Sequence, residues 1–501
     1  MASQRSMWRG TLTLTGAALA ARGLGLVYRV LLARFLGAEG LGTFQLVLPV
    51  YLFLVTLSTA GMPVAVSQTV GEGRWSRDAI LSTSFRAVLT FTIPLTVAWL
   101  LLSRPLAAIL YRDAHLAPLF WALAPALPAV AAGAVLRGYF LGMQVMRWPA
   151  WAQVAEPVLR VAALAWLLGA LGPGQVTDAP TAAAALIPLG ECFSLALLAF
   201  AYWREPRTFP ARPHSTPPRG LTAALWRLAW PVTAGRLLGS LVGVAQAALI
   251  PRLLQRSGLT EPEAVAYYGQ LTGMALPFIL FPTALSVALS HNLVPRIAEA
   301  SGQNRPTEVQ RITHQALSAT AYWTVPVTTV LVFLGPRLDD LLFHSHIPRE
   351  VFWPLVLGGM FLYFDVALAG ILRGLGRTEV PVRNELVASL AEIAALLWWA
   401  PHPGRGTIGV AGAIAVGFVV AFALDLRAVV RLTGVRISWM RLLARPCLAA
   451  APLPLVLALA QSLTHLWHWA TAASTLAGLL LAAVCYGATL WVSGLEITQL
   501  T

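Results

Sequence analysis

The chain has 501 residues, 57% of them hydrophobic and 11% charged, with a mean hydropathy of +0.70. Apolar runs of about 20 residues, the length that crosses a bilayer core, recur from end to end and leave no room for a large soluble domain. The net charge of +14 would suit a nucleic-acid binder, but the basic residues are all arginine and sit in short segments between apolar runs; a membrane surface accounts for them and nucleic acid does not.

Arg5 and Arg9, the run Gly10 to Leu19 and the triplet Ala18-Leu19-Ala20 imitate a cleavable signal peptide. The segment is expected to stay, because the internal repeat described below needs it. The fold class is an all-α polytopic membrane protein of about fourteen transmembrane helices, near 11–35, 43–69, 80–102, 117–141, 151–171, 181–203, 224–252, 265–290, 312–335, 351–372, 384–400, 408–430, 443–461 and 470–493. An even number puts both termini on one side. Connecting segments on that side hold 22 arginines against 8 on the other, so the positive-inside rule places both termini in the cytoplasm.

The first span carries Arg22 and Arg29, seven residues apart with Gly25 between them. Seven residues are nearly two helical turns, so both guanidinium groups share a face. An arginine at the middle of a membrane helix costs about 2.5–3.5 kcal/mol on insertion scales and turns toward a bundle interior or a wet cavity. The bland alternative is snorkelling, or neutralisation by a neighbouring acid.

The one long polar break, REPRTFPARPHSTPPRG over 204–220, holds five prolines and four arginines and reads as an extended cytoplasmic linker. It divides the first twelve spans into six and six with the same orientation, the pattern of parallel repeats. The expected organisation is an N-lobe over 1–203, the linker over 204–220, a C-lobe over 221–435 and an extra helix pair over 436–501. Residue traces support duplication. Arg22, Gly25 and Arg29 match Arg236, Gly239 and Gly243 in spacing, with Gln246 continuing the face, and an offset of 236 takes Leu136-Arg137-Gly138 onto Leu372-Arg373-Gly374 and Glu156 onto Glu392.

Charge inside the spans sorts by lobe. The first holds Arg22, Arg29, Glu156, Arg160 and Glu191; the second holds Arg236, Asp365, Glu385 and Glu392, with Asp425, beside Arg427 and Arg431, expected at the interface. Glu156 and Arg160 are four apart with the acid first, the favourable order for a pair on one helix face. Prolines and glycines at Pro49, Gly61, Pro63, Pro125, Pro128, Pro277 and Pro282 are expected to kink spans 2, 4 and 8.

Enzyme signatures are sparse. Without lysine a Walker motif is impossible, the pairs His344/His346 and His465/His468 have no carboxylate cluster beside them, and Cys192, Cys447 and Cys485 lie in apolar spans at spacings that suit neither a disulfide framework nor zinc. No cofactor is expected, and the coupling ion, if one is used, is not written in the residues.

With these residues assembled, the chain resembles the polysaccharide-biosynthesis and stage V sporulation protein B branch of the multidrug/oligosaccharidyl-lipid/polysaccharide exporter superfamily. The likeness is densest in GLVYRVLLARFLGAEGLGTFQLVLPVY (25–51), GMPVAVSQTVGEG (61–73), RGYFLGMQVMRWPAWAQVAEPVLRV (137–161) and YYGQLTGMALPFILFPTALSVALSHNLVPRIAEA (267–300). It implies two six-helix lobes around a central cavity, alternating access, export of lipid-linked saccharides, and a last helix pair that hosts a lipid tail. Murein lipid II flippases of the superfamily place basic cavity residues in their first and eighth helices. Arg22 matches that pattern, while Tyr28 stands where a second basic residue is expected, Arg29 follows it, and Gln270 appears in span 8. The sporulation-type branch fits the letters better.

The reading from sequence is a monomeric flippase of the bacterial cytoplasmic membrane that moves an undecaprenyl-type lipid-linked saccharide, in contact with membrane lipid and with cell-wall synthesis proteins as possible partners. Arg22, Arg29 and Arg236 would meet the diphosphate, and Glu156, Arg160, Gln246, Gln270, Asp365 and Glu392 form a second set of cavity or coupling residues. The competing reading is an ion-coupled exporter of small cationic compounds, which needs an acidic cavity.

Overall fold

The computed structural model describes residues 2–171, 178–204, 220–344, 347–437, 440–466 and 471–492; most of the proline-rich segment read as a linker, 205–219, lies outside the described residues. Among the described residues there is no strand. By internal contacts the chain divides into two compact units, Met1–Leu249 with Val265–Gly269, and Ile250–Ala264 with Gln270–Thr501.

The first unit contains α1 (Ala2–Thr59), α2 (Met62–Glu72), α3 (Arg77–Tyr111), α4 (Ala117–Leu123), α5 (Ala126–Gly142), α6 (Arg147–Leu171), α7 (Ala179–Arg204) and most of α8 (Leu221–Arg256). Its core gathers Met62, Ala65 and Val66 of α2, Ile80, Leu81 and Val88 of α3, Ala131 and Val135 of α5, and Leu221, Leu225 and Ala229 of α8. Local chemistry punctuates these helices. Ser76 caps α3 by accepting a bond from the Ala79 amide, with Asp78 in the first turn, and Arg112 closes the helix in the left-handed conformation.

The second unit contains α9 (Glu261–Gly269, its last five residues counted with the first unit), a π-turn at Gln270–Ala275, α10 (Leu276–Leu280), α11 (Thr283–Gly302), α12 (Pro306–Phe343), α13 (Arg349–Gly374), α14 (Glu379–Trp399), α15 (Gly406–Thr433), α16 (Arg445–Ala450), α17 (Leu453–Leu466) and α18 (Thr471–Val492). Its larger core joins α11, α12, α13 and α15 through residues such as Leu293, Ile312, Leu368 and Val429. The C-terminal helices dock on α12: Val325 and Leu334 pack with Ala450, Leu453, Leu457 and Ala482, and the Tyr486 hydroxyl donates to the Tyr322 carbonyl at 2.5 Å. Their other faces expose Leu448, Leu455, Leu476 and Leu480.

Among the described residues, eleven helices are long and apolar enough to span a membrane, or twelve if the pair Glu261–Leu280 and Thr283–Gly302, bent by 48°, is one span. The chain is therefore a multi-pass membrane protein. Two of the fourteen expected spans lie in the single stretch Gly16–Glu72, which is interrupted at Gly37 (φ 66°, ψ −177°). Span 11 falls on α14, where Glu379, Arg383, Glu385 and Glu392 keep it out of the spanning set. The breaks expected in spans 2, 4 and 8 occur at Ala60–Gly61, Ala124–Pro125 and Phe281–Pro282. Pro49 instead lies within a continuous helix.

Recurrent geometry corrects the register of the internal repeat. Helix α5 ends at Gly142 and α13 at Gly374, an offset of 232. The same offset carries the bonds from the Met143, Gln144 and Val145 amides onto those from Leu375, Gly376 and Arg377. It also carries the Trp121 indole bond to the Leu100 carbonyl onto that of Trp353 to Val332, and left-handed Arg112 onto left-handed His344. The match of 136–138 to 372–374 had slipped by four residues, close to one helical turn. Glu392 is thus the counterpart of Arg160, not of Glu156. In the first helix, Gly37 pairs with Gly258 and the start of α2 at Met62 with the start of α11 at Thr283, an offset of 221 that sets Arg22 against Gly243 rather than Arg236.

The corresponding glycines mark close helix approaches. A side chain at Gly142 would meet the Ser67 carbonyl at 2.6 Å and Val70 Cβ at 2.8 Å; one at Gly374 would meet Ile297 Cβ at 2.9 Å and the Val294 carbonyl at 3.0 Å. Valine at either position is expected to cost about 1–3 kcal/mol through overpacking, read as a lower thermal midpoint in detergent. Gly169→Val, with nothing within 4 Å of its Cβ, serves as the control. Wild-type midpoints for Gly142→Val and Gly374→Val would refute the close packing.

Candidate functional site

Helix α1 sorts its polar residues by face. Leu32, Ala33, Leu41, Phe44 and Val47 are buried, and the Tyr28 hydroxyl is buried without a hydrogen-bond partner, within electrostatic reach of Arg160. One residue later the helix has turned by about 100°, and Arg29 is exposed, as is Arg22 on the same face. Neither guanidinium has an ion-pair partner among the described residues. An unpaired cation on an apolar helix needs an anion or water to face.

Arg236, on α8, is also exposed and without an ion pair among the described residues. The contacts tying α8 to α1 involve the segment after Gly37: Ser240 Oγ lies 3.3 Å from Thr56 Oγ1, and a Cβ at Gly243 would sit 3.8 Å from Pro49. Arg22 and Arg29 precede Gly37, so nothing in the described residues joins Arg236 to them. Gln246 is half-buried on the same helix.

The pair read from its spacing on α6 is present, and it is part of a triad. Arg160 Nη2 lies 2.6 Å from Glu156 Oε1 and 3.2 Å from Glu191 Oε1 of α7, with all three side chains at most 20% exposed. The approach depends on Gly190, where a Cβ would stand 2.6 Å from Arg160 Nε. Tyr51 of α1 is within electrostatic reach of all three charges, and the carboxyls of Glu156 and Glu191 are within hydrogen-bonding reach of each other. Two carboxylates thus face the Arg160 guanidinium, and a second guanidinium, that of Arg137 on α5, is also within electrostatic reach of Glu191. Sequence reasoning placed Glu191 in this lobe but not in the site, because no spacing rule links residues on different helices.

In the second unit, Asn384 of α14 donates to Asp425 Oδ1 of α15 at 2.7 Å, and Asp365 of α13, with Glu385 and Arg373, is within electrostatic reach of Asp425. Asp425 is 2% exposed, and Asn384 supplies the partner that lets its carboxyl be buried among the helices. Asp365 keeps one buried oxygen, Oδ1, without a hydrogen bond. Glu385 is exposed; Glu392 is half-buried against α15, where a Cβ at Gly417 would stand 2.7 Å from its Oε2. Gln270 opens the π-turn and is half-buried. Of the second set, Glu156 and Arg160 meet around the triad in the first unit and Asp365 lies beside Asp425 in the second; Gln246, Gln270 and Glu392 fall in neither group, and Glu392, at the Arg160-equivalent position, carries the opposite charge.

Comparison with known proteins places this geometry. The family model described as polysaccharide biosynthesis protein matches residues 7–301. Stage V sporulation protein B of Bacillus subtilis (strain 168) is 27% identical over 449 residues, covering 87% of this chain and 86% of that protein. The lipid II flippase MurJ of the same organism is 23% identical over 415 residues, covering 77% and 76%. Among solved structures, a lipid II flippase MurJ in an inward closed conformation superposes with a TM-score of 0.72 at 15% identity, over 97% of this chain and 100% of that one. An inward-facing multidrug resistance MATE family transporter of the MOP superfamily gives 0.63 at 16% identity, over 82% and 94%. The chain belongs to the polysaccharide biosynthesis protein family.

Proposed function

We propose that this protein is a flippase, not an enzyme, which moves a lipid-linked saccharide on a diphosphate carrier of the undecaprenyl type across the bacterial cytoplasmic membrane by alternating access. The observation that carries the reading is the pair of exposed, unpaired arginines on one face of apolar α1, in a chain of a polysaccharide-biosynthesis family with relatives named as a sporulation protein and a lipid II flippase. Guanidinium groups bind phosphate oxygens through two parallel bonds, so Arg22 and Arg29, with Arg236 joining in another conformation of the cycle, suit a diphosphate.

The proposed architecture is fourteen crossings, with spans 1 and 2 reversing at Gly37 and α14 counted as a crossing, in two six-helix lobes plus the C-terminal pair. The lobe boundaries at 203 and 221 follow the repeat, although most of α8 packs with the first unit. Both termini lie in the cytoplasm, and the protein acts as a monomer.

Reconstitution in vesicles, with a diphosphate-linked saccharide lipid compared against cationic dyes, tests the reading: the lipid should be translocated and the dyes should not. Dye export without lipid translocation would favour the cation-exporter reading instead. The carboxylates give the place for energy coupling. Asp365→Asn should leave the thermal midpoint within a few degrees of wild type while lowering gradient-driven transport to the rate seen without a gradient. Unchanged gradient dependence would remove Asp365 from the coupling path.

A further inference from the structure

Outside the residues discussed so far, the first unit holds a cavity of about 520 Å³ between α3 and the start of α8, lined by Thr83, Arg86, Ala87, Thr90, Phe91, Thr222 and Trp226. The lining follows one helical face on each side: positions 83, 86, 87, 90 and 91 on α3, and 222 and 226 on α8. It presents one guanidinium, three hydroxyls and two aromatic rings, and no carboxylate. Arg86 is exposed and has no ion-pair partner among the described residues.

Depth and direction suit a membrane headgroup. Arg86 lies nine residues into α3, roughly 13 Å along the axis at 1.5 Å per residue, and Thr222 and Trp226 lie within the first two turns of α8. The two helices start at the same end, since Ile80, Leu81 and Val88 share a core cluster with Leu221, Leu225 and Ala229. Exposed Trp230, one turn beyond Trp226, belongs to the aromatic residues that mark the interfacial layer. Past the cavity, α3 exposes Phe91, Ile93, Val97, Leu101 and Leu102, an apolar track for acyl chains.

We propose that this cavity binds the phosphate of an anionic phospholipid, with Arg86 and the threonine hydroxyls on the phosphate oxygens and the acyl chains along the apolar face of α3. The apolar track continuous with the cation distinguishes a lipid phosphate from a soluble one. The site is separate from the diphosphate site proposed on α1 and stands whether or not that one does.

Native mass spectrometry of the delipidated full-length protein in detergent tests it, with phosphatidylglycerol, phosphatidylcholine and inorganic phosphate as probes. Wild type should retain phosphatidylglycerol over phosphatidylcholine by roughly five- to tenfold, the effect of one basic side chain on an anionic headgroup. Arg86→Gln should abolish the preference and Arg86→Lys should keep most of it; thermal midpoints should be unchanged, since Arg86 has no protein partner to lose. No preference in wild type, or an undiminished preference in Arg86→Gln, would overturn the proposal. Removal of the preference by millimolar inorganic phosphate would show a soluble-anion site and would also overturn it. Should Arg86→Gln fail to fold, Thr83→Val with Thr90→Val removes two of the hydroxyls, and an unchanged preference in that variant is again a refutation.

Discussion

Replacing Arg160 by leucine is expected to destabilise the protein by about 3–5 kcal/mol, because it removes the guanidinium that pairs with two largely buried carboxylates. Leucine replaces only the inner part of the arginine stem, which packs on Gly190, so lost packing adds to the electrostatic cost. The triple replacement Arg160→Leu with Glu156→Gln and Glu191→Gln should recover most of the loss, since neither carboxylate is then left charged without Arg160. Thermal unfolding in detergent measures both. A single Arg160→Leu variant as stable as wild type would show that Glu156 and Glu191 are already neutral without it. Gly190→Ala should act in the same direction, because a Cβ 2.6 Å from Arg160 Nε forces the guanidinium off its partners.

Periodicity and charge order made part of this visible in the sequence. The pairing of Glu156 with Arg160 is a local consequence of helical geometry, and the structure has it at 2.6 Å. Breaks at Gly61, Pro125 and Pro282 likewise follow from backbone chemistry confined to a few residues. Glu191, Asn384 and the burial of Asp425 depend instead on which helices are neighbours, and no spacing within one helix encodes that. The repeat was detectable but its register was not. In a chain so rich in leucine, alanine, arginine and glycine, a triplet such as Leu-Arg-Gly recurs by chance, whereas the caps after Gly142 and Gly374 and the indole bonds of Trp121 and Trp353 recur by geometry. The number of crossings was legible only in part, because an apolar run does not reveal whether Gly37 reverses the chain or merely bends it.

Arg22 and Arg29 make the opposite prediction to Arg160. Both are exposed and have no ion pair among the described residues, so removing them strands no carboxylate. Arg22→Ala with Arg29→Ala should insert at least as well as wild type, because alanine is cheaper than arginine within an apolar helix. Its thermal midpoint should be retained, and translocation of a diphosphate-linked lipid should fall by at least about tenfold, the loss of one charge-assisted bond of about 1.5 kcal/mol or more. Arg22→Lys should keep part of the activity, since the charge survives and the two-pronged contact does not.

The translocation rate of a diphosphate-linked saccharide lipid in vesicles, measured for the Arg22→Ala, Arg29→Ala double variant beside its thermal midpoint, tests the central claim most directly. A folded protein with at least about a tenfold loss of rate is the predicted result; full transport by the double variant would contradict the assignment of these arginines to the diphosphate.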